Sequence, residues 1–297
     1  MVKNRAAGAL QGQEPLLPLP LLSPWSDIGR MNDNLDSLRR CSVVCVLLLV
    51  SMTAQGAETR GEMKRAVGGH RLHYLLQTPT GTRPEAGWPF ILFLHGYGEC
   101  GAELEKVKKH GPPKLVSEID ALKGCIIVSP QCPRDSWWRV EALHALVEEV
   151  IRIRGDIDRC RLYVTGLSMG GYGIWSFISR HPGYFAAAIP ICGGGDPLRL
   201  PANRPPVKVG IKNEFDPEGL KRASNLPVWT FHGSQDRSVP IGETEMLVRS
   251  LRSAGARHVR FTVYPKVGHV AAWQRAYRDP QVWEWLFSQR AAPPRTE

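Results

Sequence analysis

The feature that most constrains the fold is an alternation of short apolar runs with amphipathic segments, which begins near residue 64. Such an alternation is typical of βαβ units built around a mainly parallel sheet. Seven runs are predicted to be strands, at residues 70–77, 89–95, 124–130, 160–166, 185–192, 226–232 and 258–264. Several are apolar on both faces, as buried parallel strands are. The sequence therefore predicts an α/β fold with a mainly parallel central sheet.

The segments around these strands carry helix and edge signals. Residues 139–154 repeat apolar side chains at helical spacing, which predicts a helix packed on the sheet. Asp279 and Pro280 are typical of a helix start, with Asp as the N-cap and Pro at the first helical position. Val259, Phe261 and Val263 alternate with more polar neighbours, which predicts a strand near the sheet edge. Residues 196–224, rich in Pro, Asn and Lys, are predicted to be a loop or a small cap.

Composition narrows the class of protein. With 297 residues and 43% hydrophobic side chains, the chain is long enough for one sizeable core. The formal charge is +10, but the basic residues are scattered, and the densest cluster, KVKKH at residues 106–110, is interpreted as a solvated helix face. No nucleic-acid partner is therefore expected. No CxxC pair or Cys/His cluster has zinc spacing, so no structural metal is expected. No cofactor is predicted either.

The first sixty residues differ in character from the rest. Residues 1–30 contain QEPLLPLPLLSPW, whose prolines are too closely spaced for a helix and which has no strand alternation. We expect this stretch to be disordered or an upstream mis-extension, with Met31 as the true start.

Residues 31–57 have the arrangement of a secretory signal peptide. A pair of arginines at 39–40 precedes an apolar run at 41–52, and the small residues Ala54 and Gly56 follow at a cleavage position. The run is short of the ~20 residues that a membrane-spanning helix needs, so no stable membrane anchor is expected. The prediction is an exported protein, periplasmic or extracellular, whose single domain of residues 58–297 begins near Ala57 or Glu58.

The stretch GLSMGGYG, residues 166–173, joins a predicted strand to a predicted helix. A G-x-S-x-G sequence at such a turn holds the serine in a strained conformation and exposes its hydroxyl at the carboxyl edge of the sheet. A glycine-rich turn with a spectator serine is the alternative interpretation. The flanking strand and helix favour Ser168 as a nucleophile.

A serine nucleophile needs an acid and a base, and both are expected after it in the chain. Asp236 follows the strand at 226–232, in HGSQDRSVP, and is the predicted acid. Asp236 could instead close an Asx turn, and Asp216 and Asp279 are rival acids, although neither directly follows a strand.

The predicted base is His269, in a loop that follows the strand at 258–264. Its rivals are His232, which ends a strand and is predicted to point into packing, and His181, which ends a helix on the far side. Because parallel strands end at one edge of a sheet, these separated loops can bring Ser168, Asp236 and His269 together.

Attack on an acyl carbon also needs donors for the developing oxyanion. The segment FILFLHGYGECG runs from a strand into a glycine-rich loop, and the backbone N–H groups of Tyr97 and Met169 are the predicted pair. His95 precedes the loop and is predicted to be a structural hydrogen-bonding residue rather than a base.

Taken together, LHGYGECG, IIVSPQCP, VTGLSMGGYG, IPICGGGDP, FHGSQDRSVP and VGH resemble the α/β-hydrolase superfamily. The chain is most similar to its secreted bacterial dienelactone-hydrolase-like and phospholipase/carboxylesterase-like branch, over about residues 64–290. The resemblance implies helices on both faces of the sheet, and it carries Ser168, Asp236 and His269 into nucleophile, acid and base, with Tyr97 and Met169 as oxyanion donors. Dienelactone hydrolases proper use a cysteine nucleophile, so their particular reaction is not implied.

Two further expectations depend on this fold. Trp137 and Trp138 follow the strand at 124–130 and are predicted to line a substrate pocket, with aromatic packing of the loop as an equal alternative. Cys100 and Cys132 follow two strands that are neighbours in such a fold, and a disulfide between them is a hypothesis that export would permit.

The sequence thus predicts a secreted serine hydrolase that cleaves carboxylic esters through an acyl-enzyme intermediate. The expected partner is a small-molecule or polysaccharide-linked ester, and the sequence indicates no oligomeric state. A serine peptidase of the same fold would be expected to carry a gating domain or an extended peptide groove. A non-catalytic binding protein on this scaffold would be expected to lose a member of the triad.

Overall fold

The computed structural model describes residues 56–199 and 213–293. The predictions for residues 1–30, and nearly all of the predicted signal peptide, lie outside the described residues, as does much of the segment at 196–224. Within the described ranges, no helix is both long and apolar enough to cross a membrane.

The described part of the chain contains an eight-stranded sheet with the order β1-β2-β4-β3-β5-β6-β7-β8. Its strands are β1 Glu58–Glu62, β2 His73–Gln77, β3 Trp88–Leu94, β4 Ile126–Pro130, β5 Ile157–Leu167, β6 Ala187–Ile191, β7 Val228–Gly233 and β8 Val259–Tyr264. β1 and β2 pair antiparallel, β2 joins β4 antiparallel, and all the other pairs are parallel. The prediction of a mainly parallel sheet is therefore confirmed.

Eight α-helices accompany these strands in the described residues. They are α1 Gly111–Leu115, α2 Asp120–Lys123, α3 Val140–Arg154, α4 Met169–Arg180, α5 Pro217–Arg222, α6 Ile241–Ser253, α7 His269–Arg278 and α8 Pro280–Ser288. Short 3₁₀ turns at Tyr97–Glu99 and Leu104–Lys109 follow β3. The predicted start of the last helix is confirmed, because the Asp279 side chain accepts the N–H of Gln281 at 3.0 Å.

Two buried clusters lie on opposite faces of the sheet. Along β3, Phe90, Leu92 and Leu94 belong to the cluster that holds α3, α4 and α6, whereas Ile91 and Phe93 belong to the cluster that holds α7 and α8. Successive strand residues point to opposite faces, so each apolar strand supplies both cores. Helices cover both faces, as the resemblance implied, and this explains why the central strands are apolar throughout.

The two edges of the sheet differ from the centre. β1, with the sequence ETRGE, is polar and mostly exposed, and no alternation in the sequence predicted it. It exists because its backbone pairs with β2. β8 forms the opposite edge, as predicted, and Val263 there is 40% exposed. The other boundaries lie within a few residues of the predicted ones, which is the usual uncertainty of strand ends.

Candidate active site

Ser168 lies alone between the end of β5 and the first residue of α4. Its backbone has φ 55° and ψ −117°, in the positive-φ region that non-glycine residues rarely adopt. The neighbouring glycines permit this turn, since a Cβ on Gly166 or Gly170 would lie 2.5 or 2.0 Å from the Leu94 carbonyl oxygen of β3. The glycines thus let the turn press against β3, and the turn presents the Ser168 hydroxyl.

Ser168, His269 and Asp236 form one continuous hydrogen-bonded chain. The Ser168 Oγ lies 2.8 Å from His269 Nε2, and His269 Nδ1 lies 2.5 Å from Asp236 Oδ2. Because an ionised carboxylate only accepts, Nδ1–H donates to Asp236, and Nε2 is left to accept the serine proton. The structure brings together the three residues that the sequence singled out, 101 and 33 positions apart in the chain.

The Asp236 carboxylate is fully buried but well supplied with donors. Its Oδ1 accepts the backbone N–H groups of Ser238 at 2.7 Å and Val239 at 2.9 Å. Burial by itself would raise the pKa of Asp236, but the contacts with His232 and His269 and the backbone donors outweigh it and hold that pKa well below its usual range. The carboxylate therefore stays ionised at neutral pH and can orient His269.

The rival acids have other roles. Asp216 is the N-cap of α5, where it accepts the Glu218 N–H and contacts Arg222. Asp279 is the N-cap of α8. A capping carboxylate is already used by the backbone donors of its helix, so neither residue takes the place of Asp236.

The rival histidines also have partners of their own. His181 is the C-cap residue of α4, at the opposite end of that helix from Ser168, and its ring stacks on His144. His95 is buried, with Nδ1 2.6 Å from the Gly96 carbonyl and Nε2 3.0 Å from the Cys132 N–H that it accepts. Burial lowers the pKa of His95 to about 4, so the ring is neutral. The prediction that His95 is structural is confirmed.

His232 is more than a packing residue. Its ring is buried between polar groups, and Nε2 lies 3.2 Å from Asp236 Oδ2. The prediction that His232 points into packing holds for its burial, but the ring also contacts the predicted acid. The only signal was its position four residues before the predicted acid, at the carboxyl end of the same strand.

The predicted oxyanion donors border the same space as Ser168. Tyr97 begins the 3₁₀ turn after β3 and Met169 begins α4, so neither backbone N–H has an acceptor within its own helix. The loop is close to Ser168, since a Cβ placed on Gly96 would lie 3.6 Å from the Ser168 Cβ. The N-terminal end of α4 adds a dipole that favours negative charge at this point.

A cavity of about 300 Å³ opens at Ser168. Its aromatic and aliphatic lining includes Tyr97, Trp137, Tyr172, Val239, Val270 and Trp273. Of the two predicted tryptophans, only Trp137 reaches it, in edge-to-face contact with Tyr172. Trp138 is 2% exposed and donates its Nε1–H to the His95 carbonyl at 3.3 Å. The prediction for Trp138 is therefore wrong, because successive residues of that loop point in different directions.

Trp273 was not predicted. It lies one helical turn after His269 on α7, with its ring 4.9 Å from the His269 ring. The i,i+4 spacing in HVAAW could have indicated that the two share a helix face. Glu99 and His110 add polar groups to the cavity, and burial raises the pKa of Glu99.

The proposed disulfide partners are free thiols in the structure. The Cys100 thiol points towards Met169, with 3.9 Å between the sulfur atoms. The contact with Cys100, together with burial, raises the pKa of Cys132 well above its usual range. The two thiols are neighbours, as the strand order predicted, but they are not bonded.

Two clusters of metal-ligating side chains occur among the described residues. In the first, Glu141 accompanies His144 and His181, whose rings stack at 4.3 Å and 24°, so their nitrogen lone pairs do not converge on one ion. The second consists of Cys192, His232 and Asp236. The Asp236 carboxylate already contacts two imidazole rings, those of His232 and His269. Neither cluster has the arrangement of a prepared metal site.

Comparisons with known proteins agree with this fold. Residues 211–291, which carry Asp236 and His269, match the prolyl oligopeptidase family. The crystal structure of a thermostable esterase superimposes with a TM-score of 0.59 at 30% identity, over 78% of this chain and 63% of that one. An Escherichia coli (strain K12) protein named "Putative carboxymethylenebutenolidase" is 31% identical over 178 residues, which are 60% of this chain and 58% of that protein. The chain thus spans less than two thirds of either relative.

More distant structures share only the fold. The acylaminoacyl peptidase of Pyrococcus horikoshii superimposes with a TM-score of 0.57 at 17% identity, over 84% of this chain and 44% of that one. The chain is a member of the α/β-hydrolase superfamily. Within the superfamily it is similar to the carboxymethylenebutenolidase relative and to the thermostable esterase.

Proposed function

We propose that the protein is a serine hydrolase that cleaves carboxylic esters through an acyl-enzyme intermediate. The observation that carries the proposal is the chain of hydrogen bonds from Ser168 through His269 to Asp236, at the N-terminal end of α4. The arrangement matches what acyl transfer requires: a nucleophile, a base within hydrogen-bond reach, and a buried acid that orients the base.

In the proposed reaction, Ser168 Oγ attacks the acyl carbon while its proton passes to His269 Nε2. The backbone N–H groups of Tyr97 and Met169 receive the oxyanion of the tetrahedral intermediate. His269 then gives its proton to the departing alcohol, which leaves Ser168 acylated. Water, activated by His269, attacks the acyl-enzyme, and a second tetrahedral intermediate releases the acid.

The cavity and the comparisons favour an ester of modest size. The space of about 300 Å³ beside Ser168 has mainly apolar and aromatic walls, which suits an acyl or alcohol group of a small-molecule or polysaccharide-linked ester. The solved structure that is 30% identical to this chain in sequence is that of an esterase. A serine peptidase remains the second candidate, because the prolyl oligopeptidase family matches the segment with the proposed acid and base.

The variant Ser168→Ala tests the mechanism. Without the nucleophile, kcat on short p-nitrophenyl esters should fall by about 10⁵- to 10⁶-fold, as removal of a triad serine does in other hydrolases. The fold should persist, since alanine replaces the hydroxyl alone, and circular dichroism and the Tm measure this. Ser250→Ala on α6 is the matched control and should keep full activity. Retained ester hydrolysis in Ser168→Ala would refute the proposed nucleophile.

Matched substrates separate ester from peptide chemistry. We expect the p-nitrophenyl ester of an acyl group to be cleaved with a much higher kcat/KM than the p-nitroanilide of the same group. An equal or higher kcat/KM on the anilide would favour the peptidase candidate instead.

We also propose export, on the basis of the pattern at residues 31–57. Expression of the full chain in a bacterial host should give a periplasmic or secreted protein whose N-terminus lies near Ala57 or Glu58. Exported protein that begins at Met1 or Val2 would contradict both the start at Met31 and the cleavage.

A further inference from the structure

His232 stands directly behind the proposed acid. It lies on β7 with its side chain fully buried, and Nε2 is 3.2 Å from Asp236 Oδ2. The same oxygen accepts the N–H of His269. Asp236 Oδ2 is therefore held between two imidazole rings, only one of which belongs to the proposed triad.

Hydrogen-bond counting defines the protons on the His232 ring. Nδ1 lies 2.8 Å from Thr244 Oγ1, and that hydroxyl donates its only proton to the Gly193 carbonyl at 2.8 Å. Thr244 can thus only accept from Nδ1, which must carry a proton.

The other ring nitrogen also faces acceptors only. Nε2 lies 2.9 Å from the Val239 carbonyl oxygen as well as 3.2 Å from Asp236 Oδ2. A neutral imidazole has one N–H and would leave one of these close contacts as lone pair against lone pair. With a proton on both ring nitrogens, each of these contacts becomes a hydrogen bond donated by His232. The ring then carries a buried positive charge that faces the ionised carboxylate of Asp236.

The other groups near the ring do not donate a hydrogen bond to either ring nitrogen of His232, so they do not remove the need for a second N–H there. Cys192, at the end of β6, directs its thiol to the His269 carbonyl, with 3.8 Å between sulfur and oxygen. Asp236 accepts at both oxygens.

We infer that His232 carries a proton on both ring nitrogens and is a positioning residue that holds Asp236 as a buried ion pair. The inference rests on the proposed function for its role in catalysis, but not for the protonation itself. Backbone N–H groups hold Asp236 Oδ1 and His232 holds Oδ2, so the carboxylate cannot rotate away from His269.

The positive charge has a consequence for the pH dependence of catalysis. Asp236 Oδ2 lies 2.5 Å from His269 Nδ1 and 3.2 Å from His232 Nε2, so the two rings are close and a cation on His232 disfavours a second cation on His269. Without it, His269 would bind its proton more tightly. The acid limb of the kcat/KM profile, which reports protonation of the base in the free enzyme, would then move to higher pH by about one unit.

Nitrogen NMR on the full chain labelled with ¹⁵N-histidine tests the protonation without reference to activity. The His232 ring, assigned by its loss in His232→Gln, should show two protonated nitrogens at pH 7. One protonated and one bare nitrogen would overturn the inference and leave the proposed function standing.

Kinetic variants test the positioning role. His232→Gln keeps an N–H donor near Asp236 but removes the charge, and should shift the acid limb upward by about one pH unit. Thr244→Val removes the acceptor for Nδ1 and should shift the limb in the same direction, whereas Thr244→Ser keeps the hydroxyl and should leave it in place. A lowered kcat/KM with an unmoved acid limb in both His232→Gln and Thr244→Val would reduce His232 to a packing role. If no substrate is found for the wild-type protein, the proposed function fails and the NMR result still decides the protonation.

Discussion

At the scale of single residues, the site contains Ser168, whose backbone is strained, and two buried histidines, His95 and His232, whose hydrogen-bond partners differ. Ser168 at φ 55° costs about 1–3 kcal/mol, which the surrounding packing must supply. His95 and His232 are both buried, but His95 has one donor and one acceptor as partners, whereas His232 has acceptors alone. Identical side chains thus take different protonation states because their neighbours differ.

The assignment of the acid can be tested with a matched pair of substitutions. Asp236→Asn keeps the shape of the side chain but favours the wrong His269 tautomer, so kcat on p-nitrophenyl esters should fall by about 10³- to 10⁴-fold. Asp216→Asn alters only a helix cap and should change kcat little. A larger loss in Asp216→Asn than in Asp236→Asn would show that the acid is misassigned.

His95 should make stability depend on pH. Burial lowers the pKa of His95 from 6.5 to about 4. Between these two pH values, His95 is protonated in the unfolded chain but neutral in the folded protein. Its stabilising effect is therefore complete above pH 6.5 and is lost as the pH falls towards 4. The loss should be about 2 kcal/mol between pH 7 and pH 5.

Urea unfolding of the wild type and His95→Gln at both pH values measures this effect. The variant should be less stable at pH 7 but should lose less stability on acidification. The exposed His258→Gln is the control and should follow the wild type. Parallel curves for His95→Gln and the wild type would contradict the expectation.

At the scale of elements, the first turn of α4 is pressed onto the sheet. Gly166 and Gly170 meet the Leu94 carbonyl of β3, and a Cβ on Gly171 would lie 2.8 Å from the Ile191 carbonyl of β6. This close approach brings the N-terminus of the helix, with its free N–H groups, to the carboxyl edge of the central strands. Glycine there is required by backbone contact rather than by chain flexibility.

One substitution at equivalent positions of two helices should have opposite effects. Gly170 and Gly242 are each the second residue of their helices, α4 and α6. A Cβ on Gly170 would lie 2.0 Å from the Leu94 carbonyl oxygen, while a Cβ on Gly242 meets nothing within 4 Å. Gly170→Ala should therefore cost about 2–3 kcal/mol of unfolding free energy, whereas Gly242→Ala should gain up to about 1 kcal/mol. Thermal unfolding of both variants measures the difference, and a stabilised Gly170→Ala would disprove the close contact.

At the scale of the whole molecule, the parallel sheet gathers the site from distant parts of the chain. Loops after β3, β5 and β7 and the start of α7 meet at one edge and bring together Tyr97, Ser168, Asp236 and His269. The two buried clusters, one on each face of the sheet, support this edge by packing against the strands. The same layout places the thiols of Cys100 and Cys132 beside the loop that carries Tyr97.

The state of these thiols can be measured over the whole protein. All five cysteines of the described residues are free, and Cys125, Cys132 and Cys192 are buried. We expect iodoacetamide to modify Cys100 and Cys160 in the native protein, and all five in denaturant without reductant. Burial keeps the other three thiols protonated and inaccessible until unfolding. Peptide mass analysis measures the alkylation of each cysteine. If Cys100 and Cys132 stay unmodified in denaturant, the disulfide that the sequence suggested is established.

Local patterns in the sequence were sufficient to predict seven strands, the turn at Ser168, the N-cap at Asp279 and the three residues of the hydrogen-bonded chain. Their signals lie within a few neighbouring residues or in the order of strand ends along the chain. The tertiary structure alone decided that β1 exists, that Trp137 lines the cavity while Trp138 is buried, and that His232 contacts Asp236. Pairing partners and side-chain directions depend on residues far away in the chain, so no local pattern records them.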